Sequence, residues 1–197
     1  MIRLQGLLIV SLLGVAGCSS TNTTLVYTPR QAIAMAATPT VSALTATDQR
    51  KEAPTRLATV MGGFGNPLKY LDTNRPVRDE VAAAFIDGLK ARGLYVAGGP
   101  APFRIELVIR KFDADMIIGR TARIDLDLIV VAANGRPVYR DTVVDQQSDM
   151  KFFQTGLFAD VMDLQRLAQS VLNATVDQML DKPGFRAAVA GRGVGVS

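Results

Sequence analysis

Apolar positions along this chain switch between two periods, and the switches divide it into elements. Phe103, Ile105, Leu107 and Ile109 alternate with Arg104, Glu106, Val108 and Arg110, the period of a strand with one buried face. The phase slips at Lys111, after which Phe112, Ala114 and Met116 take the apolar positions. That slip predicts a bulge near Arg110-Lys111. After Gly119 the alternation resumes with Ile124, Leu126, Leu128 and Val130, and Asp125 and Asp127 fall on the other face. Asn134-Gly135 between two such runs predicts a hairpin with a type I′ turn, since both residues tolerate positive φ. Two-residue closure then pairs Val130 with Tyr139 and Leu126 with Val143, both apolar pairs.

Elsewhere the period is helical. Val77, Val81, Ala84, Phe85 and Leu89 recur at spacings of three and four, so one face of a helix is apolar. Asn74 is placed to cap it and Pro76 falls in its first turn. Asp79 and Glu80 near its start and Lys90 and Arg92 near its end suit the helix dipole, and Gly93 stops it. A second helix is predicted from about Leu157, with Val161, Leu164, Ala168, Val171, Leu172, Thr175 and Met179 on one face. Asp163, Arg166, Gln169, Asn173 and Asp177 lie on the others, and Asp181-Lys182-Pro183-Gly184 ends the helix. Phe185 to Val189 forms a last short turn.

Shorter β-prone runs precede the first helix. Val41, Ala43 and Leu44 lead into Thr47-Asp48-Gln49-Arg50, and Arg56 to Met61 and Leu68 to Leu71 flank Gly62-Gly63-Phe64-Gly65-Asn66-Pro67 as a hairpin. Leu94-Tyr95-Val96 begins another short strand. The fold class expected is α+β: a mostly antiparallel β-sheet with two amphipathic helices packed on one face. The strand before the first helix and the strand after Gly99 are expected side by side, joined by a right-handed connection.

The beginning of the chain has a different pattern. Arg3 precedes an apolar run from Leu4 to Val15, and Val15-Ala16-Gly17-Cys18 is followed by Ser19-Ser20-Thr21-Asn22-Thr23-Thr24. A basic start, a short apolar core and small residues before a cut site make a secretory signal, too short for a spanning helix. Val15 to Cys18 resembles the lipobox of bacterial lipoproteins, which implies that Cys18 is the lipid attachment site and the mature N-terminus. The expected organisation is a signal peptide over 1–17 and a lipidated N-terminus with a flexible tether over 18–39. A single periplasmic domain over 40–189 and a disordered tail over 190–197 complete it. Thr24 to Tyr27 is a candidate short strand inside the tether.

Composition narrows the chemistry. Of 197 residues, 48% are hydrophobic and 20% charged, which suits one globular domain with its own core. The formal net charge is +4, one less once Arg3 leaves, and the charges are scattered rather than striped. That argues against a nucleic-acid partner. Cys18 is the single cysteine and there is no histidine. The mature domain therefore has no internal disulfide, no His-dependent triad and no imidazole for a transition metal.

Three constellations are candidate chemistry. Ser148-Asp149-Met150-Lys151 has the Ser-x-x-Lys spacing in which a lysine can take the serine proton on a helix. It falls at the end of a strand, without Lys-Thr-Gly or Ser-Asp-Asn partners, so catalysis is not expected. Asp113 with Asp115, and Asp125 with Asp127, put two carboxylates on one strand face. Calcium wants six to eight oxygens in a shaped loop, so ion pairing of Asp125 and Asp127 with Arg104 and Arg110 is expected instead. No catalytic residue, cofactor or metal ligand is assigned; the site residue is Cys18, as lipid attachment point.

In its order of elements the chain resembles the YajG-type family of Gram-negative lipoproteins. The residues that carry this are Thr40-Val41-Ser42 leading to Ala46-Thr47-Asp48-Gln49-Arg50, and Leu89-Lys90-Ala91-Arg92-Gly93-Leu94-Tyr95-Val96. Phe112-Asp113-Ala114-Asp115, Ala133-Asn134-Gly135 and Ala174-Thr175-Val176-Asp177-Gln178-Met179 add to them. The resemblance implies a protein anchored in the outer membrane by acyl (palmitate) chains on Cys18 and facing the periplasm, with no assigned reaction. Ser19 after the cysteine fits outer-membrane sorting. The function expected is that of a non-enzymatic accessory or docking subunit of an envelope transport or assembly system, with a protein partner. The alternative is a module binding a lipid or a cell-wall fragment between helix and sheet.

Overall fold

The computed structural model describes residues 19–29, 36, 38–61, 66–116, 119–149 and 161–191. Its centre is an antiparallel meander of β5 (Phe103–Met116), β6 (Arg120–Ala132) and β7 (Pro137–Asp149). Ile105, Leu107 and Ile109 are buried on one face of β5, and Phe112, Ala114 and Met116 continue that same face. They can do so because Arg110 is extra: Ile109 stands opposite Leu126 and Lys111 opposite Asp125. Without this bulge the second half of β5 would turn its apolar set to water.

The β6–β7 hairpin keeps the expected register, with Val130 opposite Tyr139 and Leu126 opposite Val143, but its turn differs from the type I′ expectation. Gly135 takes φ 84°, while no residue other than glycine has positive φ among those described, so Asn134 does not. The Gly135 N–H donates to Ala132 O, and the Ala132 N–H to Arg136 O. That is the three-residue loop with a glycine bulge. The Asn134 side chain accepts from the Arg136 N–H, and an irregularity between Val130 and Val131 restores the register.

β2 (Val41–Asp48) runs parallel to the first half of β5, and β3 (Arg56–Met61) parallel to its end, where Ala58 faces Ala114. Two successive strands thus share one edge of a strand 14 residues long. β4 (Pro67–Thr73) pairs antiparallel with β3, and β1 (Ser19–Thr23) parallel with β4, completing a seven-stranded mixed sheet. The expected adjacency of the strand before the first helix and the strand after Gly99 is therefore corrected. β4 is held by its own hairpin partner, and β2 fills the place beside Phe103. Leu94 secures that choice, its carbonyl accepting from Thr40 N and Val41 N while Val96 N donates to Val41 O. The expected strand at 94–96 reduces to one bridge, Val41 with Tyr95.

α1 (Val77–Ala91) and α2 (Val161–Asp181) cover one face of the sheet, and α3 (Pro183–Val189) packs Phe185 edge-on to Tyr139. Asn74 is not the cap of α1. The Pro76 carbonyl receives the Asp79 and Glu80 N–H groups, while Asn74 bonds Thr23 O and Thr24 Oγ1. At the other end Gly93, φ 67°, closes a Schellman motif: its N–H reaches Lys90 O and the Leu94 N–H reaches Leu89 O. α1 and α2 meet at Gly88, where a Cβ would lie 2.6 Å from Val176 Cγ1 and 3.0 Å from Leu180 Cδ1.

The segment expected as a tether is, where described, part of the fold. Ser19 to Thr23 pair with Lys69 to Thr73, and Leu25 and Tyr27 are buried. The candidate strand at 24–27 thus begins where pairing stops: β1 ends at Thr23 and the chain continues extended. Thr23, Leu25 and Tyr27 alternate inward, a strand pattern masked in the sequence by its many Ser and Thr residues.

Candidate functional site

A buried polar cluster is built around a residue that sequence reasoning assigned to the helix dipole. Arg92 follows the last turn of α1 with its side chain 1% exposed. Its Nε and Nη2 donate to the two oxygens of Asp181 at 3.0 and 2.7 Å, and Nη2 also reaches Asp177 Oδ1 at 3.0 Å. Nη1 donates to Tyr27 Oη and to Gly88 O, both at 3.0 Å. The Tyr27 hydroxyl in turn donates to Asp177 Oδ1. A guanidinium buried this deeply is tolerated because five bonds occupy its fork.

The cluster extends into a strap. Residues 24–28 run along α2, where Gln169 Oε1 accepts the Val26 N–H at 2.8 Å and Asn173 Oδ1 the Thr28 N–H at 3.4 Å. Gln169, Asn173, Asp177 and Asp181 are four apart, so they form one row on the helix. Backbone polar groups that leave the sheet at Thr23 thereby find partners. The legible signal was this row of polar residues at fourfold spacing.

Electrostatics follow from the geometry. The hydrogen bond from Arg92 is the main reason the Asp181 carboxyl sits below its ordinary value, with Arg186 adding to it. Burial pushes the Tyr27 phenol up from 10.0 to about 12, with Asp177 reinforcing the shift and Arg92 opposing it. A raised phenol pKa means that its contribution to stability is complete below pH 10.0 and is lost as pH rises through about 12. Tyr27→Phe should therefore flatten the alkaline limb of a stability-against-pH curve, leaving the smaller part due to Tyr139, whose pKa is also raised. It should cost about 1.5 kcal/mol near neutrality, the scale of a hydrogen bond to charged partners. Urea titrations at pH 8 and 11 check both statements.

The sequence-predicted residues lie elsewhere. Ser148 is near the end of β7, exposed, with its Oγ 3.5 Å from Thr121 Oγ1, and Lys151 is outside the described residues. Asp113 and Asp115 share the open face of β5. Asp113 pairs with Lys111 at 3.4 Å, yet burial raises its pKa. Asp125 and Asp127 are bridged by Arg110, as expected, and the Thr142 hydroxyl also donates to Asp127. Burial alone would raise the Asp127 pKa, but the bonds from Thr142 and Arg110 lower it overall. Arg104 does not join them and pairs with Glu106 instead. A further clamp that went unread is Arg50, whose side chain is fully buried and donates to Asp48, Arg56 O and Phe112 O. Cys18 lies outside the described residues, one position before β1.

These clusters fasten elements together. Among the described residues no group of three His, Cys, Asp or Glu side chains is placed to hold a metal ion. No described helix is long and apolar enough to cross a membrane.

No family model matches the chain, and no curated protein matches its sequence. Among solved structures the match is firm. Protein XCC0632 from Xanthomonas campestris, of the family DUF330, superposes with a TM-score of 0.61 at 13% identity, over 87% of this chain and 97% of that one. The two share a fold. A second crystal structure, of an uncharacterized protein, superposes with a TM-score of 0.52 at 10% identity, over 84% of this chain and 100% of that one. A minor lipoprotein from Acinetobacter baumannii is more distant, with a TM-score of 0.44 at 10% identity over 74% of this chain and 98% of that one. The match to XCC0632 does not single out the YajG-type family.

Proposed function

We propose that the protein is a non-enzymatic lipoprotein of the Gram-negative envelope, anchored in the outer membrane through acyl chains on Cys18. It faces the periplasm as an accessory or docking subunit for a protein partner in transport or assembly. The observation that carries this reading is the junction of lipobox and fold: Val15-Ala16-Gly17-Cys18 runs directly into β1, which starts at Ser19. The cysteine that would be acylated is thus joined to the sheet itself. The polar clusters support a structural protein, since their charges are paired with one another. The space between helices and sheet is filled by fully buried Phe85, Phe112, Leu126 and Leu172, which speaks against a small molecule held there.

Cys18→Ser is expected to abolish palmitate labelling and leave the protein unprocessed or released from the membrane. Wild-type protein that fractionated as soluble material without label would end the lipoprotein reading. Crosslinking of the acylated protein followed by pull-down tests the docking role: a stoichiometric protein partner supports it, and a co-purified small molecule favours the binding-module alternative. Fluorophosphonate labelling that disappears in Ser148→Ala would make it an enzyme.

A further inference from the structure

One end of the sheet gathers exposed apolar side chains. β1 runs parallel to β4 with Ser19 opposite Lys69, and β3 pairs with β4 through Met61 opposite Pro67. The start of β1 and the hairpin end of β3 and β4 therefore lie together. Met61 is 38% exposed there, Leu68 is 50% exposed, and Pro67 between them is also exposed. Consecutive Cα atoms are about 3.8 Å apart, so acyl chains on Cys18 would leave the protein from this same end.

We propose that Met61, Pro67 and Leu68 make a second, apolar contact with the lipid surface beside the acyl anchor. This rests on the reading of Cys18 as the acylation site. Acyl chains at one residue hold a domain at a bilayer but leave it free to swivel. A second contact one strand away restricts the tilt of the sheet. Apolar side chains at a membrane surface settle at the boundary between headgroups and acyl chains. Charge points to neutral lipid as the surface contacted. Lys69 is exposed at this end, and the half-buried Asp115 stands opposite Thr59 where β3 ends, while Asp149 is paired with Arg120. One carboxylate, Asp115 beside β3, thus offsets the one exposed lysine near the contact. The contact is therefore apolar, and its strength should vary little with anionic lipid.

The test uses the full acylated chain in phosphatidylcholine vesicles. Cys18 is the only native cysteine, so in the acylated protein an introduced thiol is the one that reacts. Leu68→Cys and, as a control, Val144→Cys are labelled with an environment-sensitive dye. Val144 is 65% exposed and lies midway along the edge strand β7, opposite Asp125. The dye at 68 should shift to the blue and be quenched by brominated lipid, and the dye at 144 should do neither. Aqueous emission at both positions, with mass spectrometry showing Cys18 acylated, overturns the second contact and leaves the anchor standing. An unmodified Cys18 in the membrane fraction removes the anchor and this inference with it. Because Leu68 is on the surface, unchanged thermal melts are expected for the labelled variants.

Discussion

Replacing Arg92 with methionine is expected to destabilise the protein by about 3 kcal/mol, the lower end of the cost of breaking a buried ion pair. The lower end applies because Asp177 and Asp181 are 18% and 42% exposed, so water reaches the carboxylates once the guanidinium is gone. The Tyr27 hydroxyl and the Gly88 carbonyl lose a donor as well. Amide exchange should rise at Val26 and Thr28, whose partners lie on the same row of α2 as Asp177. The acid limb should change too. Asp181 has a lowered pKa in the folded protein, so its contribution is present above 3.8 and is lost as pH falls through the folded value. In Arg92→Met most of that acid dependence should vanish. A loss below about 1 kcal/mol in urea unfolding, within the range of exposed pairs, would show that the cluster is decorative.

Leu126→Ala is expected to cost roughly 2–5 kcal/mol, the range for emptying a buried leucine site. Leu126 is fully buried beneath the helices and stands between Ile109 on β5 and Val143 on β7. Collapse around the gap is hindered because both neighbours are fixed by sheet pairing. Asp125, the preceding residue, points to the open face and pairs with Arg110. Asp125→Ala should change stability by no more than about 0.5 kcal/mol. Equilibrium unfolding of the two variants side by side measures the contrast, and a larger effect at Asp125 would invert the assignment of faces.

What could be read from the chain alone followed the distance over which residues act. The meander was legible because Ile105, Leu107, Ile109 and then Phe112 carry their own alternation, and one phase slip places a bulge near Arg110-Lys111. The stripe on α2 was legible for the same reason. Asn134 misled because the dipeptide Asn-Gly suits two turns, and only the loop length separates them. The sharing of β5 by β2 and β3 could not be seen, since parallel partners are chosen by distant pairing and not by local pattern. Arg92 was the largest omission. An arginine at the end of a helix looks the same whether exposed or buried, and its burial depends on Tyr27 and Asp181, 65 and 89 positions away. Cys18 was legible as a candidate from its neighbours alone.

The strap has a consequence for the order in which the protein is made. Val26 and Tyr27 bond to residues 143 and 150 positions further along the chain, and β1 waits for β4. Contacts this distant in sequence form late, because chain entropy must be overcome before they contribute. A chain delivered from its N-terminus therefore holds its first residues unpaired until α2 has arrived. Through that interval the residues that become β1 and the strap have no fixed neighbours. Once Gln169, Asn173 and Asp177 take up the strap, the same segment becomes part of the domain. The strap and β1 therefore close last, once α2 is in place.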